Sequence, residues 1–278
     1  MSFAEMEHRQ SLPNGTSFDL IRIKAGSFFI GNSDNEIQVP DFYLAKYPVT
    51  QALWLAVMGG ENPAHFKGTN RPVEQVSWYD AAAFCNALNR LCDYPPRYFC
   101  DASFQKALDF SMTLALNYGD SLPIFIHPEN PGYRLPSESA WEYAATGASQ
   151  RSLYDYAGGN TLDELGWYGE NSHRQTQPVG LKLPNELGLY DLSGNVWEWC
   201  EDQYQSEESK IPADGTAWTH GDAGAYRVLR GGSWPFNARF CRSSLRDADH
   251  PASRNDSVGF RVMLFPPPVS WPGIQTSP

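Results

Sequence analysis

The sequence predicts an α+β domain with few helices, short strands and long ordered loops. The 278-residue chain contains 23 Gly and 21 Pro, and such an abundance of turn formers favours irregular backbone. It also contains 9 Trp, 14 Tyr and 15 Phe, whose large rings can pin loops to a core. Strand-like patterns occur at both ends of the chain, with helical patterns between them. No internal repeat or linker divides the chain, so we expect one domain.

Short strands are predicted near both ends of the chain. Residues 19–23 alternate between apolar and polar side chains, and strand patterns recur at 27–31 and 39–45. Towards the other end, residues 226–230 and 259–264 are the strongest strand candidates. The predicted sheet structure is therefore assembled from segments far apart in sequence.

Three helices are predicted from capping residues and from apolar spacing. Thr50 is expected to begin a helix that ends at Met58, Ser77 a helix over 79–91, and Ser137 a third helix. In each case the hydroxyl can accept a hydrogen bond from a free backbone N–H of the first turn. Apolar residues at intervals of three and four give the second helix a face for the core.

We expect a single domain over residues 19–264, with an N-terminal extension at 1–18 and a Pro-rich tail at 265–278. Five prolines punctuate residues 93–131, which are predicted to form an insertion packed on the domain surface. One short helix is expected within it, near 104–116.

Charge and hydropathy exclude several classes of partner. The chain has 21 basic and 32 acidic side chains, a net charge of −11, which disfavours nucleic acid and anionic membranes. It has no run of about 18 apolar residues that could span a bilayer. Residues 1–10 are polar and lack the apolar core of a signal peptide. We therefore expect neither a nucleic-acid partner nor a membrane span, and the working expectation is a monomer.

Familiar catalytic motifs are also missing. The sequence has no glycine-rich nucleotide loop, no His-Glu-x-x-His and no Gly-x-Ser-x-Gly. Five cysteines without a CxxC pair predict free thiols, with a Cys92–Cys100 link as the alternative. Asp247, Asp249 and His250 have metal-ligating side chains, but a solvated binding surface is the favoured interpretation of that cluster.

Five segments together carry a resemblance to a known family. They are residues 71–78 (RPVEQVSW), 133–145 (YRLPSESAWEYAA), 188–199 (GLYDLSGNVWEW), 230–234 (RGGSW) and 259–261 (GFR). The sequence resembles the formylglycine-generating enzyme (sulfatase-modifying factor) superfamily over residues 19–264. The resemblance implies an elaborated C-type-lectin-like fold of the α+β class, with few helices, short antiparallel strands and many loops.

Most of these motif residues favour a structural role. Trp197 and Trp199 lie on the same side of an extended segment and can anchor it in the core. Three arginines of the motifs are expected to make charge-assisted bonds to loop carbonyls or to acids such as Glu138, Glu142 and Glu198. These arginines are Arg134, Arg230 and Arg261.

We expect no cofactor, and the resemblance implies calcium as the alternative. Some relatives bind calcium through an asparagine and nearby carbonyls, and Asn195 matches one such position. The remaining ligands of such a site are not recognisable in this sequence.

The resemblance also implies an activity that this sequence departs from. The enzymes of the superfamily convert a sulfatase cysteine to formylglycine with two active-site cysteines in the segment after Gly-Gly-Ser. Here that segment retains Cys241 alone, and residues 235–237 (PFN) stand where the other cysteine is expected. Because a single thiol cannot reproduce the paired copper site, we expect no catalytic residue and no enzyme activity. The iron-binding domain of sulfoxide-forming relatives is also missing.

Residues 234–258 show a second resemblance. Framework-like residues alternate there with a chemically arbitrary set, as in the variable proteins of diversity-generating retroelements, and the likeness is to the Treponema type. The framework-like residues are Cys241, Arg242, Ser243, Ser244, Arg246, Pro251, Arg254, Gly259, Phe260 and Arg261. In those systems adenines of asparagine codons are randomised, which cannot produce Lys, Glu, Gln, Met or Trp. None of the five occurs between Pro235 and Val258. A short polar loop could lack them by chance, and the alternative is an ordinary loop in which Phe236 and Phe240 fill the core.

The resemblance implies a hypervariable binding site that combines aromatic anchors with adaptable polar groups, as antibody paratopes do. The candidate ligand-binding residues are Trp234, Phe236, Asn237, Arg239, Phe240, Leu245, Asp247, Ala248, Asp249, His250, Ser253, Asn255, Asp256 and Ser257. The expected partner is a protein or glycan of a host or neighbouring cell. Display on a bacterial surface or export to the periplasm is expected, through a leader or lipid anchor not visible in this chain.

Three hypotheses follow. The first is a non-enzymatic binder with a diversified site. The second is a copper oxidase that acts on sulfatase cysteines through Cys241. The third is a structural module that binds calcium or a sugar.

Overall fold

The computed structural model describes residues 7–31, 33–149 and 152–265. Its strands are β1 (Glu7–Ser11), β2 (Ser17–Ile23), β3 (Gly26–Phe29), β4 (Glu36–Val39), β5 (Phe42–Ala45), β6 (Tyr98–Phe99), β7 (Phe125–Ile126), β8 (Gly132–Arg134), β9 (Trp197–Gln203), β10 (Arg227–Arg230), β11 (Arg246–Asp249), β12 (Val258–Gly259) and β13 (Met263–Phe265). Its helices are α1 (Gln51–Met58), α2 (Trp78–Leu91), α3 (Glu138–Ala145) and α4 (Leu162–Leu165). This α+β arrangement of few helices and short strands confirms the predicted fold class.

Two sheets carry the architecture. A five-stranded sheet has the order β1-β2-β5-β13-β8, and a four-stranded sheet has the order β11-β10-β9-β12. The pairings within them are antiparallel, apart from the parallel pair of β12 and β9. Two-stranded pairs, β3-β4 and β6-β7, complete the described sheets.

The three predicted helix starts are confirmed. The Thr50 hydroxyl accepts a bond from the Leu53 N–H at 3.2 Å, and the Ser137 hydroxyl accepts from Ala140 N–H at 3.1 Å. Ser77 and Asp80 cap each other reciprocally at the start of α2. These local bonds satisfy backbone donors that a helix leaves free at its first turn.

The predicted helix near 104–116 is wrong, since only a 3₁₀ turn at Phe110–Met112 forms there. The Asp101 carboxylate accepts bonds from the backbone N–H groups of Gln105 and Lys106, at 3.2 and 2.6 Å. Further along, the Thr113 hydroxyl binds the Asp80 carboxylate on α2. Side chains that capture the backbone in this way compete with helix formation.

Two segments that are each predicted to form one strand contribute to two strands in the structure. Residues 39–45 contribute to two strands, β4 and β5, with Pro40 between them. The single strand predicted at 259–264 is wrong, because β12 pairs with β9 in one sheet while β13 pairs with β5 and β8 in the other. The intervening residues 260–262 carry the chain from sheet to sheet, so one apolar run serves two sheets. The other predicted strands are present as β2, β3 and β10.

The chain ends and the insertion differ in how they join the domain. Residues 7–18 supply β1 and the start of β2, which pair along Glu7–Ser11 within the five-stranded sheet. The 93–131 segment is fastened to α2 by the Asn86 amide, which donates to the Tyr98 and Leu108 carbonyls at 2.8 and 2.9 Å. Of the predicted tail only Phe265 is described, and 266–278 lie outside the described residues.

Aromatic rings and arginines hold the loops to the core, as predicted. Trp197 and Trp199 are buried, and the Trp199 indole donates to the Val76 carbonyl at 3.0 Å. The Arg261 guanidinium makes two bonds of 2.7 Å to Glu198 and also donates to the Ala45 and Tyr190 carbonyls. Among the described residues, no helix is long and apolar enough to cross a membrane.

Candidate functional site

The candidate residues lie along one continuous path that leaves the four-stranded sheet and returns to it. After β10 the chain turns at Gly231 and Gly232, forms a 3₁₀ turn at Ala238–Cys241 and returns as the edge strand β11. A loop at 250–257 then leads to β12. A Cβ at Gly232 would lie 2.7 Å from the Cys241 sulfur and 2.7 Å from the Phe240 carbonyl oxygen, so this turn requires glycine.

Most of the candidate side chains have access to solvent. Asn237, Arg239 and Asn255 are exposed, and nine others are partly exposed. His250 and Ser253 are buried, at 8% and 5% exposure. Framework-like positions of the same segment include fully buried Cys241 and Ser243, although Arg242 is exposed.

Framework arginines hold this path by its carbonyl groups. The Arg230 guanidinium donates to the Ser243 and Leu245 carbonyls at 2.9 and 2.7 Å, and it pairs with Glu142. Arg230 and Glu142 are both buried, so their charges compensate each other where no water can. This confirms the predicted role of Arg230. Next to it, Arg246 makes two bonds to Glu138 at 2.6 and 2.8 Å.

Arg254 provides a second anchor, between the candidate loop and the 93–131 segment. Its guanidinium makes two bonds to Asp80 on α2, at 2.8 and 3.1 Å. It also donates to the Thr113 and Leu116 carbonyls at 2.9 and 2.7 Å. One side chain thus joins a helix start, the insertion and the candidate loop.

Several candidate residues are held in part through their main-chain carbonyls. The Phe236 carbonyl accepts from Gly169 N–H at 2.8 Å, and the Asn255 carbonyl accepts from Gln75 N–H at 3.0 Å. The Ser257 carbonyl accepts from Trp197 N–H at 2.9 Å. Every residue type offers this carbonyl acceptor, so these bonds do not depend on which side chain stands there.

The aromatic candidates pack partly against the core. The Phe236 ring lies edge-on to Trp197, with centroids 5.8 Å apart, and 5.4 Å from the Phe240 ring. The Trp234 ring packs edge-on against Phe66 at 5.3 Å. All three candidate rings keep some exposure, so each contributes to both the core and the surface.

The loop candidates form a second group around one carboxylate. Asp249 accepts bonds from His250 N–H at 2.7 Å, from the Ser253 hydroxyl at 2.8 Å and from the Asn255 amide at 3.0 Å. This group orders the loop through its own side chains, in addition to the bond that the Asn255 carbonyl accepts from Gln75 N–H. No set of three or more acidic, His or Cys side chains suited to a metal occurs within the described ranges.

Two tyrosines missed by the sequence analysis flank this group. The Tyr118 and Tyr226 rings lie 5.2 and 6.1 Å from the His250 ring, and both tyrosines are exposed, at 68% and 47%. Tyr118 belongs to the 93–131 segment, so no local pattern places it beside residue 250. Aromatic rings with a polar tip are common at binding surfaces.

The described structure includes cavities of about 160, 230 and 360 Å³, and no candidate residue lines any of these three.

Cys241 lacks the properties of a reactive thiol. It is fully buried, and burial raises its pKa to about 12, opposed only by a hydrogen bond with the Ser233 backbone. The thiol is therefore neutral near pH 7, whereas nucleophilic attack and metal binding need the thiolate. All five cysteines are free, so the Cys92–Cys100 link considered as an alternative does not form.

Asn195 is used to build a turn. It has a left-handed φ of 65°, its side-chain oxygen accepts from Gln177 N–H at 2.9 Å, and its amide donates to the Gln177 carbonyl and the Asp191 carboxylate at 3.0 and 3.1 Å. Asp191 also accepts from Gly180 N–H at 2.8 Å. Calcium prefers six to eight oxygen ligands. The side-chain oxygens of Asn195 and Asp191 already accept hydrogen bonds from N–H groups, so they do not fit such a site.

Comparison with solved structures supports both resemblances. The structure of Treponema denticola variable protein 1 matches with a TM-score of 0.80 and 32% identity, over 94% of this chain and 99% of that chain. The structure named CarF matches with a TM-score of 0.68 and 25% identity, over 89% of this chain and 98% of that chain. The fold is thus the C-type-lectin-like fold of formylglycine-generating-enzyme type.

Sequence comparison leads to the same family. A Paenibacillus barcinonensis protein named chaperone protein LppX is 35% identical over 244 residues, which is 78% of this chain and 79% of that protein. The formylglycine-generating enzyme of Streptomyces coelicolor is 37% identical over 153 residues, 47% of this chain and 46% of that enzyme. The chain also spans 40% of the length of a Chlamydia trachomatis protein named serine/threonine-protein kinase Pkn1. Residues 4–264 match the sulfatase-modifying factor enzyme 1-like domain, and the chain therefore belongs to that family.

Proposed function

We propose that this protein is a non-enzymatic binder whose ligand contacts the surface formed by residues 234–258. The observation that carries this proposal is the way in which framework residues hold the segment by its carbonyl groups. The bonds from Arg230 to the Ser243 and Leu245 carbonyls do not depend on the identity of the candidate side chains, nor do those from the backbone donors of Gly169, Gln75 and Trp197. Positions held in this manner can change their side chains while the backbone stays in place.

We further propose that a retroelement diversifies this surface. The absence of Lys, Glu, Gln, Met and Trp between Pro235 and Val258 agrees with randomised asparagine codons. Similarity to the Treponema denticola variable protein over nearly the whole chain supports the same mechanism. The proposed partner is a protein or glycan of a host or neighbouring cell, met at a bacterial surface.

Gene sequences from several isolates test the diversification. We expect substitutions concentrated at the candidate positions, with framework residues such as Cys241, Arg246 and Arg254 unchanged. A near-copy of this gene segment beside a reverse transcriptase gene is the second expected finding. Substitutions spread evenly over the chain would contradict the proposal.

Loss of the family's enzyme activity needs its own test. The protein is incubated with copper and a cysteine-containing sulfatase peptide, and formylglycine is measured by mass spectrometry, with the Streptomyces coelicolor enzyme as the positive control. We expect no product, because Cys241 is buried, neutral and without a second thiol in its segment. Turnover that disappears in Cys241→Ser would establish the oxidase instead.

A further inference from the structure

A cavity of about 360 Å³ lies between the 93–131 segment and the loop that follows β9. One wall is apolar, and the other comes from small and polar loop residues. The lining includes Phe104, Ile124, Ile126, Thr219 and Arg227. Its volume falls in the range of small-molecule sites.

Arg227 is the buried cation of this cavity, with 4% exposure. Its guanidinium carbon lies 3.7 Å from the Trp78 ring centroid, and its Nη1 donates to the Glu201 carbonyl at 2.7 Å. Its Nε is buried and has no hydrogen-bond partner. Within the described ranges, no carboxylate forms an ion pair with Arg227.

The surrounding charges leave an excess of positive charge. The Glu201 carboxylate is already bound by Arg97 through two bonds, at 2.8 and 2.9 Å, and it faces Arg134 as well. Asp202 accepts from the Trp218 and Glu138 N–H groups, and burial together with the nearby Glu138 carboxylate raises its pKa, which favours its neutral form. Burial lowers the pKa of Arg227 to about 10, which still leaves it charged at neutral pH.

A buried charge without a counter-charge is costly, and a ligand anion would remove that cost. We propose that this cavity binds a small organic carboxylate, which pairs with Arg227 while its apolar body lies against Ile124, Ile126 and Phe104. A carboxylate suits a guanidinium because charge-assisted hydrogen bonds between them are stronger than neutral ones. The site lies apart from residues 234–258, none of which line it, so the inference does not depend on the proposed function.

Saturation-transfer NMR and calorimetry with phenylacetate test the inference, with phenylacetamide as the neutral analogue of the same shape. We expect saturable binding of phenylacetate and at least about tenfold weaker binding of the amide, since the amide lacks the charge. Thr219 lines the cavity and is exposed, so Thr219→Asp adds a repelling charge without disturbing the core. It is expected to weaken phenylacetate binding about tenfold.

Thr216→Asp is the matched control, because Thr216 is an exposed residue lining a different cavity, next to Arg134. It is expected to leave binding unchanged. Arg227→Gln should abolish binding, and its fold is checked by circular dichroism. The inference is overturned if phenylacetate does not bind, if the amide binds equally well, or if Thr216→Asp weakens binding while Thr219→Asp does not.

Discussion

Arginine side chains in this protein supply hydrogen bonds that strands and helices would otherwise supply to the backbone carbonyls. Arg230, Arg254 and Arg261 each bind a carboxylate and at least two backbone carbonyls. Loop carbonyls that enter a protein interior need such donors, since they have no strand or helix partner. The paired carboxylates in turn make the buried positive charge tolerable.

The state of the Cys241 thiol can be measured directly. Because burial raises its pKa to about 12, native protein at pH 8 should leave Cys241 almost unmodified by iodoacetamide. Peptide mass spectrometry reads each cysteine separately, and protein unfolded in urea provides the fully labelled control. Rapid labelling of Cys241 in the native protein would mean that the thiol is open and reactive.

Asp191 predicts a pH dependence of stability. Burial raises its pKa to about 6 in the folded protein, against about 3.9 when unfolded. Between these values the folded state binds more protons, so the free energy of unfolding should fall as pH rises from about 4 to about 6. The expected loss is about 2–3 kcal/mol.

Urea unfolding of the wild type and of Asp191→Asn across that pH range isolates this contribution. The stability difference between the two proteins should change by the same amount over the window. A difference that stays constant with pH would show that Asp191 is ionised in the folded protein throughout.

At the level of elements, the start of α2 is where three parts of the fold meet. Asp80 caps the helix through Ser77 N–H at 2.8 Å, binds the Thr113 hydroxyl of the 93–131 segment and pairs with Arg254 of the candidate loop. The start of α2, the 93–131 segment and the candidate loop at 250–257 should therefore lose order together.

Arg254→Ala tests this coupling. Removing one partner of a largely buried pair should lower the free energy of unfolding by about 2–4 kcal/mol, since Asp80 is left without its counter-charge. Hydrogen exchange should rise in both residues 109–117 and 250–257. Arg239→Ala is the control, because Arg239 is exposed, and it should change stability by less than about 0.5 kcal/mol. Faster exchange confined to 250–257 would argue against the coupling.

Some strands of this protein can be predicted from sequence patterns, whereas the division of others between sheets cannot. β2 and β10 follow from alternation and β-branched residues, and three helix starts follow from hydroxyl caps. The division of 259–264 between two sheets does not, because a run of apolar residues fits either sheet equally well. Only the partners β9, β5 and β8 decide it.

At the level of the whole molecule, the stability of the proposed binder should depend little on which side chains form its binding surface. Replacing Asn237, Arg239, Asp247 and Asn255 together by alanine should lower Tm by less than about 5 °C, because none of the four is buried. Arg230→Ala, a single substitution, should cost more than about 3 kcal/mol because it leaves Glu142 buried and unpaired. Thermal unfolding followed by circular dichroism measures both. The proposal of a side-chain-independent backbone fails if the fourfold variant unfolds at lower temperature than Arg230→Ala.

The candidate site was only partly accessible from the sequence. The distinction between framework and arbitrary residues in 234–258 is visible there, and so is the loss of one cysteine. The placement of Tyr118 and Tyr226 beside His250 is not, and neither is the use of His250 and Ser253 in an ordered, buried loop. Tyr118 lies 132 positions from His250 and Tyr226 lies 24 positions from it, so no local pattern encodes these ring contacts.

The amino-acid sequence by itself determined the family, the α+β class, the helix starts and the segment where binding is proposed, because caps, apolar spacing and motifs act within a few residues. Only the tertiary structure decided which carbonyls each arginine holds, how one apolar run is divided between two sheets, and that Arg227 lies buried without an acid. Each of those depends on the distance between groups remote in sequence, and burial strengthens electrostatic interactions that water would otherwise weaken.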